Sequence, residues 1–301
     1  MKIAVTGASG FIGGAVATAL SEHGHRVTGF GRTPDGWAGR YRQWDITGGA
    51  LKCDSDFDVV VHAAALADDW APLAEATRVN VEGTRTVIAS FAGARFVHLS
   101  TSSVYDAFTP TVLAVERAAP AQRFLSSYSE SKSAAEKLFE GVESVVLRPH
   151  AVYGPGDTTL LPRILEGIRA GRLRLPEAAR VAHTLTHIDN LVDAVELSAL
   201  SSVTGVFNIG DASAVRLDEM LVELLAKKGR ADVALTGIPY RTAFAAAGGL
   251  EALHRVVGGR PRLTRYAVSQ LGLERTLDLT AARTALGYQP RETTLAGAET
   301  W

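Results

Sequence analysis

The sequence predicts an α/β fold, a doubly wound parallel sheet followed by a smaller, mostly helical C-terminal lobe. Three observations lead to this class. Short apolar runs alternate with helix-length segments through the first half of the chain. A glycine-rich turn directly follows the first of those runs, and the alternation stops after about Tyr153, where Gly154-Pro155-Gly156 interrupts the chain.

Five apolar runs are predicted as buried strands because they are short, rich in β-branched residues and bounded by turn residues. These runs are Ile3–Thr6, Val27–Phe30, Val59–His62, Phe96–Ser100 and Val145–Arg148. Three segments between them have helical length and periodicity, namely Ile12–Glu22, Pro72–Phe91 and Ser126–Glu140. Regular alternation of this kind predicts a parallel sheet covered on both faces, and right-handed crossovers favour the doubly wound arrangement.

The loss of the strand–helix alternation after about Tyr153 divides the chain into two parts. Residues 1–154 are expected to form a dinucleotide-binding domain, and residues 155–301 are expected to form most of a substrate-binding lobe. The lobe has helical patterns at Leu217–Lys227 and Tyr240–Val257. The segment 181–210, with its apolar run Val206–Ile209, is expected to return to the first domain.

Composition excludes several classes of protein. The 301 residues are 47% hydrophobic and 21% charged, which is typical of a globular chain and not of a disordered one. The net charge of −1 leaves no basic excess for a nucleic acid backbone. Cys53 is the single cysteine, so it forms no internal disulfide and no thiolate metal cluster, and no metal site is expected. No apolar run reaches the length of a membrane span, which predicts a cytoplasmic protein.

The run Thr6-Gly7-Ala8-Ser9-Gly10-Phe11-Ile12-Gly13 lies between the first strand and the first helix. Glycines at these positions permit a tight turn, close approach of backbone to a pyrophosphate, and close helix–strand packing. The helix N-terminus adds N–H groups and a favourable dipole for an anion. This context favours a dinucleotide site over an ordinary glycine-rich turn.

A second motif is Tyr128-Ser129-Glu130-Ser131-Lys132. Residues four apart share one face of a helix, so the phenol and the ammonium are expected to lie together. A nearby ammonium lowers a tyrosine pKa toward the range that suits proton transfer. The preceding strand ends in Ser100-Thr101-Ser102-Ser103, at the strand ends where open α/β sheets bind ligands.

These motifs resemble the extended short-chain dehydrogenase/reductases, the NAD(P)-dependent epimerase/dehydratase group with a Rossmann sheet. The resemblance covers essentially the whole chain. It is carried by the glycine turn and by Asp58–Ala65, Asn80–Thr84, Leu99–Tyr105, Tyr128-x3-Lys132, and Leu147-Arg148-Pro149 followed by Val152–Gly156. It implies that Tyr128 is the general acid/base, that Lys132 holds the nicotinamide ribose and lowers the Tyr128 pKa, and that Thr101 hydrogen-bonds the substrate oxygen.

The resemblance also implies a set of cofactor contacts along the strand ends. They are Gly7, Ser9, Gly10, Phe11, Ile12, Gly13, Arg32, Asp45, Ile46, Ala63, Ala64, Ala65, Asn80, Tyr128, Lys132, Pro149 and Val152. Ser102, Ser103 and His150 are candidates for substrate contact. Ser102 and Ser103 stand where dehydratases of the family carry an acidic pair, which argues against dehydration. His150 either shapes the substrate pocket or is structural.

The C-terminal part resembles the 3β-hydroxysteroid dehydrogenase-like branch, which includes reductases of long-chain β-keto acids. The motifs are Ile238–Arg241, Pro261–Tyr266 and Leu277–Tyr288. The expected activity is hydride transfer between a nicotinamide and a secondary alcohol/ketone pair, with an apolar or keto-acid substrate. The apolar segment Thr242–Val257 either covers that substrate or packs on the core of its own lobe.

Two other functions fit the same sequence. A nucleotide-sugar 4-epimerase would need to hold a diphosphate, for which Arg163, Arg169, Arg172 and Arg174 are candidates. A non-catalytic regulator that senses NADP would share the fold, but such proteins typically lose the Tyr-x3-Lys pair that this chain keeps. A homodimer is expected from the family, through the helices Pro72–Phe91 and Ser126–Glu140.

The end of the second strand predicts NADP as the cofactor, with NAD as the alternative. An acidic residue there hydrogen-bonds the adenosine ribose of NAD, and an arginine accommodates the 2′-phosphate of NADP. Gly31 occupies the acidic position and Arg32 follows it. Asp35 lies beyond Pro34, too far along to substitute, and the alternative is that Arg32 faces solvent and both cofactors are used.

Overall fold

The computed structural model describes residues 1–34, 36–51, 56–158 and 160–301. Asp35 and Cys53, which enter the sequence argument, lie outside the described residues. The strands are β1 (Lys2–Thr6), β2 (Arg26–Gly31), β3 (Tyr41–Gln43), β4 (Val59–His62), β5 (Arg95–Leu99), β6 (Thr111–Ala114), β7 (Ser144–Pro149), β8 (Val152–Tyr153), β9 (Arg172–Pro176), β10 (Ala182–His183), β11 (Thr186–His187), β12 (Gly205–Ile209), β13 (Val215–Arg216), β14 (Ala234–Ile238) and β15 (Arg275–Leu277). The α-helices are α1 (Phe11–Glu22), α2 (Leu73–Thr77), α3 (Gly83–Ser90), α4 (Ser127–Glu136), α5 (Leu160–Glu166), α6 (Ile188–Leu200), α7 (Leu217–Lys227), α8 (Tyr240–Val257), α9 (Arg265–Gly272) and α10 (Thr280–Leu286).

The central sheet has the order β12-β7-β5-β4-β1-β2-β3 within the described residues, and every neighbouring pair is parallel. This confirms the predicted doubly wound sheet. The strand order reverses between β1 and β4, so the connections that follow these two strands leave toward opposite faces. Ligands of open α/β sheets bind in the crevice at such a reversal, at the carboxyl ends of the strands.

Both faces of this sheet are buried, as its nearly continuous apolar strands require. Successive side chains of a strand point to opposite faces. Ile3 and Val5 therefore pack with α1 and α6 on one face, while Ala4 packs on the other with the aromatic residues Phe30 and Phe96. The helices on the two faces pack against the strands and fix the positions of the loops at the carboxyl edge of the sheet.

The predicted strands of the first half match the observed ones to within about one residue at each end. The predicted helix Pro72–Phe91 is not one regular helix. A π-helical stretch over Arg78–Glu82 separates α2 from α3, and the buried Asn80 lies within it. Single π-helical turns inside helices occur frequently at functional sites.

The second half of the chain contributes both to the central sheet and to smaller sheets. β12 pairs with β7 in the register Val206↔Val146, so the predicted run Val206–Ile209 lies in the central sheet. The other strands form the sheets β13-β10-β15-β6, β11-β8 and β14-β9. All of these strands have two to five residues, which is too short for hydrophobic periodicity to reveal them.

Helices α7 and α8 coincide with the predicted helical segments. Helix α8 packs on α9 within its own lobe, through the buried Ala243, Ala247 and Val268. Its C-terminal residues Val256 and Val257 are exposed. Across the described ranges, no helix is long and apolar enough to span a membrane.

Candidate active site

The glycine turn after β1 is shaped by close backbone contacts. Gly7 has φ +74°, and a Cβ atom built on it would lie 2.8 Å from the Ala64 backbone nitrogen. A Cβ on Gly13 would lie 2.2 Å from the Gly7 carbonyl oxygen. Neither position admits a side chain, because atoms at these distances overlap.

The first turn of α1 presents its backbone N–H groups without a side-chain cap. The helix begins at Phe11. Its N-cap residue is Gly10, which has no side chain to form a capping hydrogen bond. No acidic residue lies in the first turn. The uncapped N–H groups and the positive end of the helix dipole therefore suit a diphosphate. Together with the side-chain-free turn, this arrangement fits a dinucleotide cofactor.

The predicted adenosine-side residues lie at the ends of β2 and β3. Arg32 follows β2 and is exposed, and its guanidinium has no hydrogen-bonded or ion-paired partner among the described residues. Asp45 accepts hydrogen bonds from the Thr47 backbone N–H and hydroxyl, at 2.8 Å each, and these bonds lower the pKa of Asp45. Ile46 is buried against Gly83, on which a Cβ would lie 2.6 Å from the Ile46 side chain.

The segment after β4 is held next to the glycine turn. The backbone N–H of Ala63 donates to the Thr6 carbonyl at 3.2 Å, and that of Ala64 donates to the Thr6 hydroxyl at 3.3 Å. Thr6 Oγ1 in turn lies 2.7 Å from His62 Nδ1. These contacts place Ala63 and Ala64 on the crevice side of the turn, and the exposed Ala65 follows them.

The Asn80 side chain is fully engaged with the protein. Its amide oxygen accepts from the Leu66 N–H at 2.7 Å, and its amide nitrogen donates to the Leu66 carbonyl and to Ser131 Oγ. Asn80 therefore ties the segment after β4 to helix α4, and through this contact it positions the cofactor-side loop. Its predicted direct contact with the cofactor stays a prediction.

Helix α4 carries Tyr128 and Lys132 toward the end of β5. The helix starts at Ser127 because the Ser126 hydroxyl accepts the Ser129 N–H at 3.2 Å as an N-cap. Tyr128 lies in the first turn, and the nearby Thr101 side chain opposes the rise that burial causes in the Tyr128 pKa. Thr101 is buried, follows β5 and caps the short 3₁₀ turn Ser102–Val104. The structure thus brings together Thr101, Tyr128 and Lys132.

The Lys132 ammonium is held by acceptors on β5, and its predicted contact with the nicotinamide ribose stays a prediction. The Lys132 side chain is 2% exposed, and the ammonium donates to the Leu99 carbonyl at 2.7 Å and lies 3.2 Å from His98 Nε2. Burial lowers the Lys132 pKa to about 8, opposed by Glu136. Burial raises the Tyr128 pKa, and the nearby Thr101 side chain opposes this rise. The Tyr128 pKa is therefore raised by burial, where the sequence predicted a lowering by Lys132.

The buried ammonium predicts how stability depends on pH. The Lys132 pKa is about 8 in the folded chain and returns to its ordinary value on unfolding. Between pH 8 and about pH 10 the unfolded chain therefore binds the extra proton, and stability rises with pH. Lys132→Met removes this titration. Urea unfolding of both proteins measures their free energies of unfolding. The free energy of the wild type should rise relative to that of the variant over this pH range, and a difference between the two that does not change with pH would contradict the assignment.

The candidate substrate residues form a buried polar cluster beside Thr101. Ser102 Oγ lies 2.8 Å from His150 Nδ1, and His150 Nε2 lies 3.0 Å from His183 Nδ1. Burial holds the pKa of His150 well below its ordinary value, so the ring is neutral near pH 7. Ser103 Oγ lies 2.6 Å from the Tyr266 hydroxyl. Sequence reasoning missed His183 and Tyr266 as members of this cluster, although the motif Pro261–Tyr266 contains the tyrosine.

Two further predicted cofactor residues follow the same edge. Pro149 is the last residue of β7 and is buried, and Val152 opens β8 and is half-buried. Ala151 between them has φ +46°, which turns the chain sharply at this edge. The turn keeps both residues close to the carboxyl end of the central sheet.

The four arginines considered for a diphosphate are only partly brought together. Arg169, Arg172 and Arg174 line one cavity of about 480 Å³ with Gly167 and Ala170, and none of the Tyr128 cluster lines it. Arg163 instead reaches Asp69, at 3.5 Å. The arginine cavity is thus separate from the candidate catalytic residues.

A glycine turn, an uncapped helix terminus and a Tyr–Lys pair with a buried ammonium, all at one end of a doubly wound sheet, define a nicotinamide-dinucleotide enzyme of the extended short-chain dehydrogenase/reductase type. The model of the NAD dependent epimerase/dehydratase family matches residues 3–210. The chain belongs to this family.

The relatives of this chain include reductases and dehydrogenases, and the similarity extends over nearly their full length. A 4-hydroxy-2-methyl-3-oxo-4-farnesyl-3,4-dihydroquinoline-1-oxide ketoreductase of Stigmatella aurantiaca is 33% identical, over 97% of this chain and 93% of the relative. A 2-alkyl-3-oxoalkanoate reductase of Stenotrophomonas maltophilia is 30% identical, over 97% and 95%. The solved structure of MoeE5 in complex with UDP-glucose and NAD has a TM-score of 0.73 and 26% identity, covering 100% of this chain and 97% of that one.

Proposed function

We propose that this chain is an NADP-dependent reductase of a ketone, or a dehydrogenase of the matching secondary alcohol, on an apolar or keto-acid substrate. The observation that carries the proposal is the convergence of Tyr128, Thr101 and Lys132 with the side-chain-free glycine turn at one edge of the sheet. The ketoreductase and 3-oxoalkanoate reductase relatives support a carbonyl substrate. A 29% identical 3-beta-hydroxysteroid dehydrogenase of Mycolicibacterium neoaurum supports an apolar one.

A bound nicotinamide would supply or accept the hydride in this reaction. The Tyr128 phenol gives its proton to the carbonyl oxygen as that oxygen gains charge, and Thr101 hydrogen-bonds the same oxygen. Overall, a ketone, a hydride and a proton give a secondary alcohol. Lys132 would hold the nicotinamide ribose, with Leu99 and His98 fixing its position.

The activity is tested with the purified chain and reduced cofactor against a 2-alkyl-3-oxoalkanoate, a 3-oxosteroid and a UDP-sugar. The proposal requires NADPH to be consumed with one of the carbonyl substrates. Interconversion of UDP-sugars with no net change in NADPH would establish the epimerase alternative, which the likeness to MoeE5 with UDP-glucose favours. Cofactor binding without turnover of any of them would contradict the proposal.

The preference for NADP is proposed from the end of β2. A Cβ built on Gly31 would lie 2.5 Å from the Tyr41 hydroxyl oxygen and 2.8 Å from Ser9 Oγ. The place of a ribose-binding carboxylate is therefore filled by two hydroxyls. The Arg32 guanidinium beside it, which makes no ion pair within the described ranges, suits a 2′-phosphate, because an arginine can bind a phosphate with two parallel hydrogen bonds.

Arg32→Ala is expected to weaken NADPH binding by about 10- to 100-fold, because a hydrogen bond between charged groups contributes roughly 1.5–3 kcal/mol. NADH binding should stay unchanged. Arg26→Ala is the matched control, since Arg26 is an exposed arginine at the opposite end of the same strand. Kd values of both reduced cofactors measure the effect. Equal affinity of the wild type for NADH and NADPH would show the NADP assignment to be wrong.

We further propose that residues 1–154 bind the dinucleotide, with 181–210 returning to them, and that residues 155–301 supply most of the substrate lobe. The pairing of β12 with β7 supports the return. The homodimer expected through α2, α3 and α4 is also a proposal, supported by the family and by the frequency of two-fold assembly. Light scattering that gives a 31.9 kDa species would contradict it.

A further inference from the structure

Helix α8 has an exposed apolar patch near its C-terminus. Leu253 is 54% exposed, Val256 is 86% exposed and Val257 is 65% exposed. Residues three and four apart lie on one side of a helix, so the three side chains form one surface, which we call the α8 patch. Large apolar side chains that are exposed together are typical of a surface that another surface covers.

The rest of the outward face of α8 does not interrupt the patch with a charge. Between Arg241 and Leu253 the exposed residues are small and uncharged, namely Thr242, Ala245, Ala246, Gly249 and Ala252. The single acidic residue of the helix, Glu251, is 3% exposed. Its carboxylate accepts from the Arg265 backbone N–H at 2.6 Å and from Arg265 Nε at 2.8 Å. The charge that a surface helix usually shows to solvent is therefore turned inward here.

Arginines flank the patch, although the whole chain has a net charge of −1. Five arginines and one acidic residue lie between residues 239 and 265. Arg241, Arg255 and Arg262 are exposed and form no ion pair within the part of the chain that the structure describes. Two of these three, Arg255 and Arg262, lie at the C-terminal end of α8, where the patch is.

The acidic residues in contact with this segment are already bound. Asp68 and Asp69, in the loop after β4, accept from the two terminal nitrogens of Arg260 at 2.7 and 2.5 Å. At the opposite end of α8, Glu177 accepts the Tyr240 N–H at 2.6 Å. The surface beside the patch is therefore positively charged.

We propose that the α8 patch docks on the surface of an anionic lipid bilayer. The bulky apolar side chains enter the boundary between headgroups and acyl chains, and the arginines beside them lie among the lipid phosphates. This inference goes beyond the proposed function and does not require turnover. It suits an apolar substrate, because such a molecule partitions into the same bilayer.

A second copy of the chain is the other surface that could cover the patch. A two-fold contact places the same patch on both sides, so it brings the arginines beside the patch toward those of the second copy. The outward face of α8 has no acidic residue to pair with them, and like charges held together oppose association. An anionic bilayer carries the opposite charge, so charge complementarity favours the lipid.

The test measures cosedimentation of the purified chain with vesicles of equimolar phosphatidylcholine and phosphatidylglycerol, and with vesicles of phosphatidylcholine alone. Binding to the anionic vesicles is expected to be at least about tenfold stronger, since each basic residue near an anionic surface contributes a factor of about five. Added salt should weaken this binding, because it screens the charges. No binding to the anionic vesicles, or equal binding to both kinds, overturns the proposal.

Val256→Asp should weaken binding to the anionic vesicles by at least about tenfold, because a carboxylate neither enters the apolar boundary nor tolerates anionic headgroups. Val222→Asp is the matched control, since Val222 is a valine of α7 that is 55% exposed. Both variants should keep the thermal melt and the Kd for NADPH of the wild type, because substitutions of exposed side chains disturb a fold little. Equal losses of vesicle binding in the two variants would contradict the proposal.

Arg255→Gln and Arg262→Gln should each lower binding to the anionic vesicles about fivefold. Arg230→Gln, which changes an exposed arginine after α7, should leave it unchanged. Light scattering without lipid tests the second copy. A dimer that Val256→Asp dissociates, in a chain that does not sediment with vesicles, would assign the patch to a contact between copies and overturn the proposal. None of these measurements uses a substrate, so a failure of carbonyl reduction refutes the proposed function and leaves this inference to its own test.

Discussion

Tyr128→Phe is expected to lower kcat by at least about 100-fold, the lower end of the range for general acid/base catalysis. The substitution removes the only proton that the Tyr128 side chain can transfer and keeps the ring. The Tyr128 hydroxyl is not required to hold α4, because the start of that helix is capped by Ser126. The fold and the affinity for NADPH should therefore change little.

The measurement is a steady-state assay with the best carbonyl substrate, accompanied by a thermal melt and a Kd for NADPH. A large loss of kcat with intact melt and affinity supports Tyr128 as the acid. Activity within a few-fold of the wild type would remove Tyr128 from the mechanism. A loss of NADPH affinity as large as the loss of kcat would instead assign Tyr128 to cofactor binding.

The sequence predicted the central sheet well because burial on both faces leaves a strong signal. Strands such as Val59–His62 are continuous apolar runs between turn residues, and short runs of this kind are typical of buried strands. The glycine turn was recognisable for a similar reason. At Gly13 the geometry excludes every side chain, so the residue type itself reports the contact.

The residues that hold the site were harder to predict, because their partners are distant in sequence. Lys132 meets Leu99 and His98, and Ser103 meets Tyr266, 163 residues away. Helical spacing placed Lys132 near Tyr128 but could not show which acceptors its ammonium would find. A lone tyrosine on an amphipathic helix likewise has no pattern that distinguishes a site residue from a core residue.

Arg148 is another residue whose partner could not be predicted from the sequence. Breaking its ion pair gives the second large effect that we expect, a loss of stability. The residue lies in β7, all of whose residues are buried, and the sequence gives no partner for its charge. The structure supplies Glu136 from α4, which accepts from Arg148 Nε at 2.9 Å and from Nη2 at 2.6 Å. The Glu116 carbonyl accepts a further bond at 2.8 Å. The guanidinium is therefore satisfied only while α4 is docked on the sheet.

Glu136→Ala is expected to cost about 3–5 kcal/mol of stability, because it leaves the Arg148 charge buried without its counter-ion. The two side chains are 4% and 10% exposed. Glu143→Ala is the matched control. Its partner Arg95 is also buried, but Glu143 is 66% exposed, so its loss should cost less than about 1 kcal/mol.

Urea unfolding measures the free energies of unfolding of the two single variants and of the double variant that combines Arg148→Met with Glu136→Leu. The double variant should recover much of the stability lost in Glu136→Ala, because replacing both buried charges by apolar groups removes the desolvation cost. Since Glu136 belongs to the helix that carries Tyr128 and Lys132, the same ion pair holds the candidate catalytic residues against the sheet. Equal losses in Glu136→Ala and Glu143→Ala would show that Arg148 does not depend on its carboxylate, and that α4 is held by its apolar contacts alone.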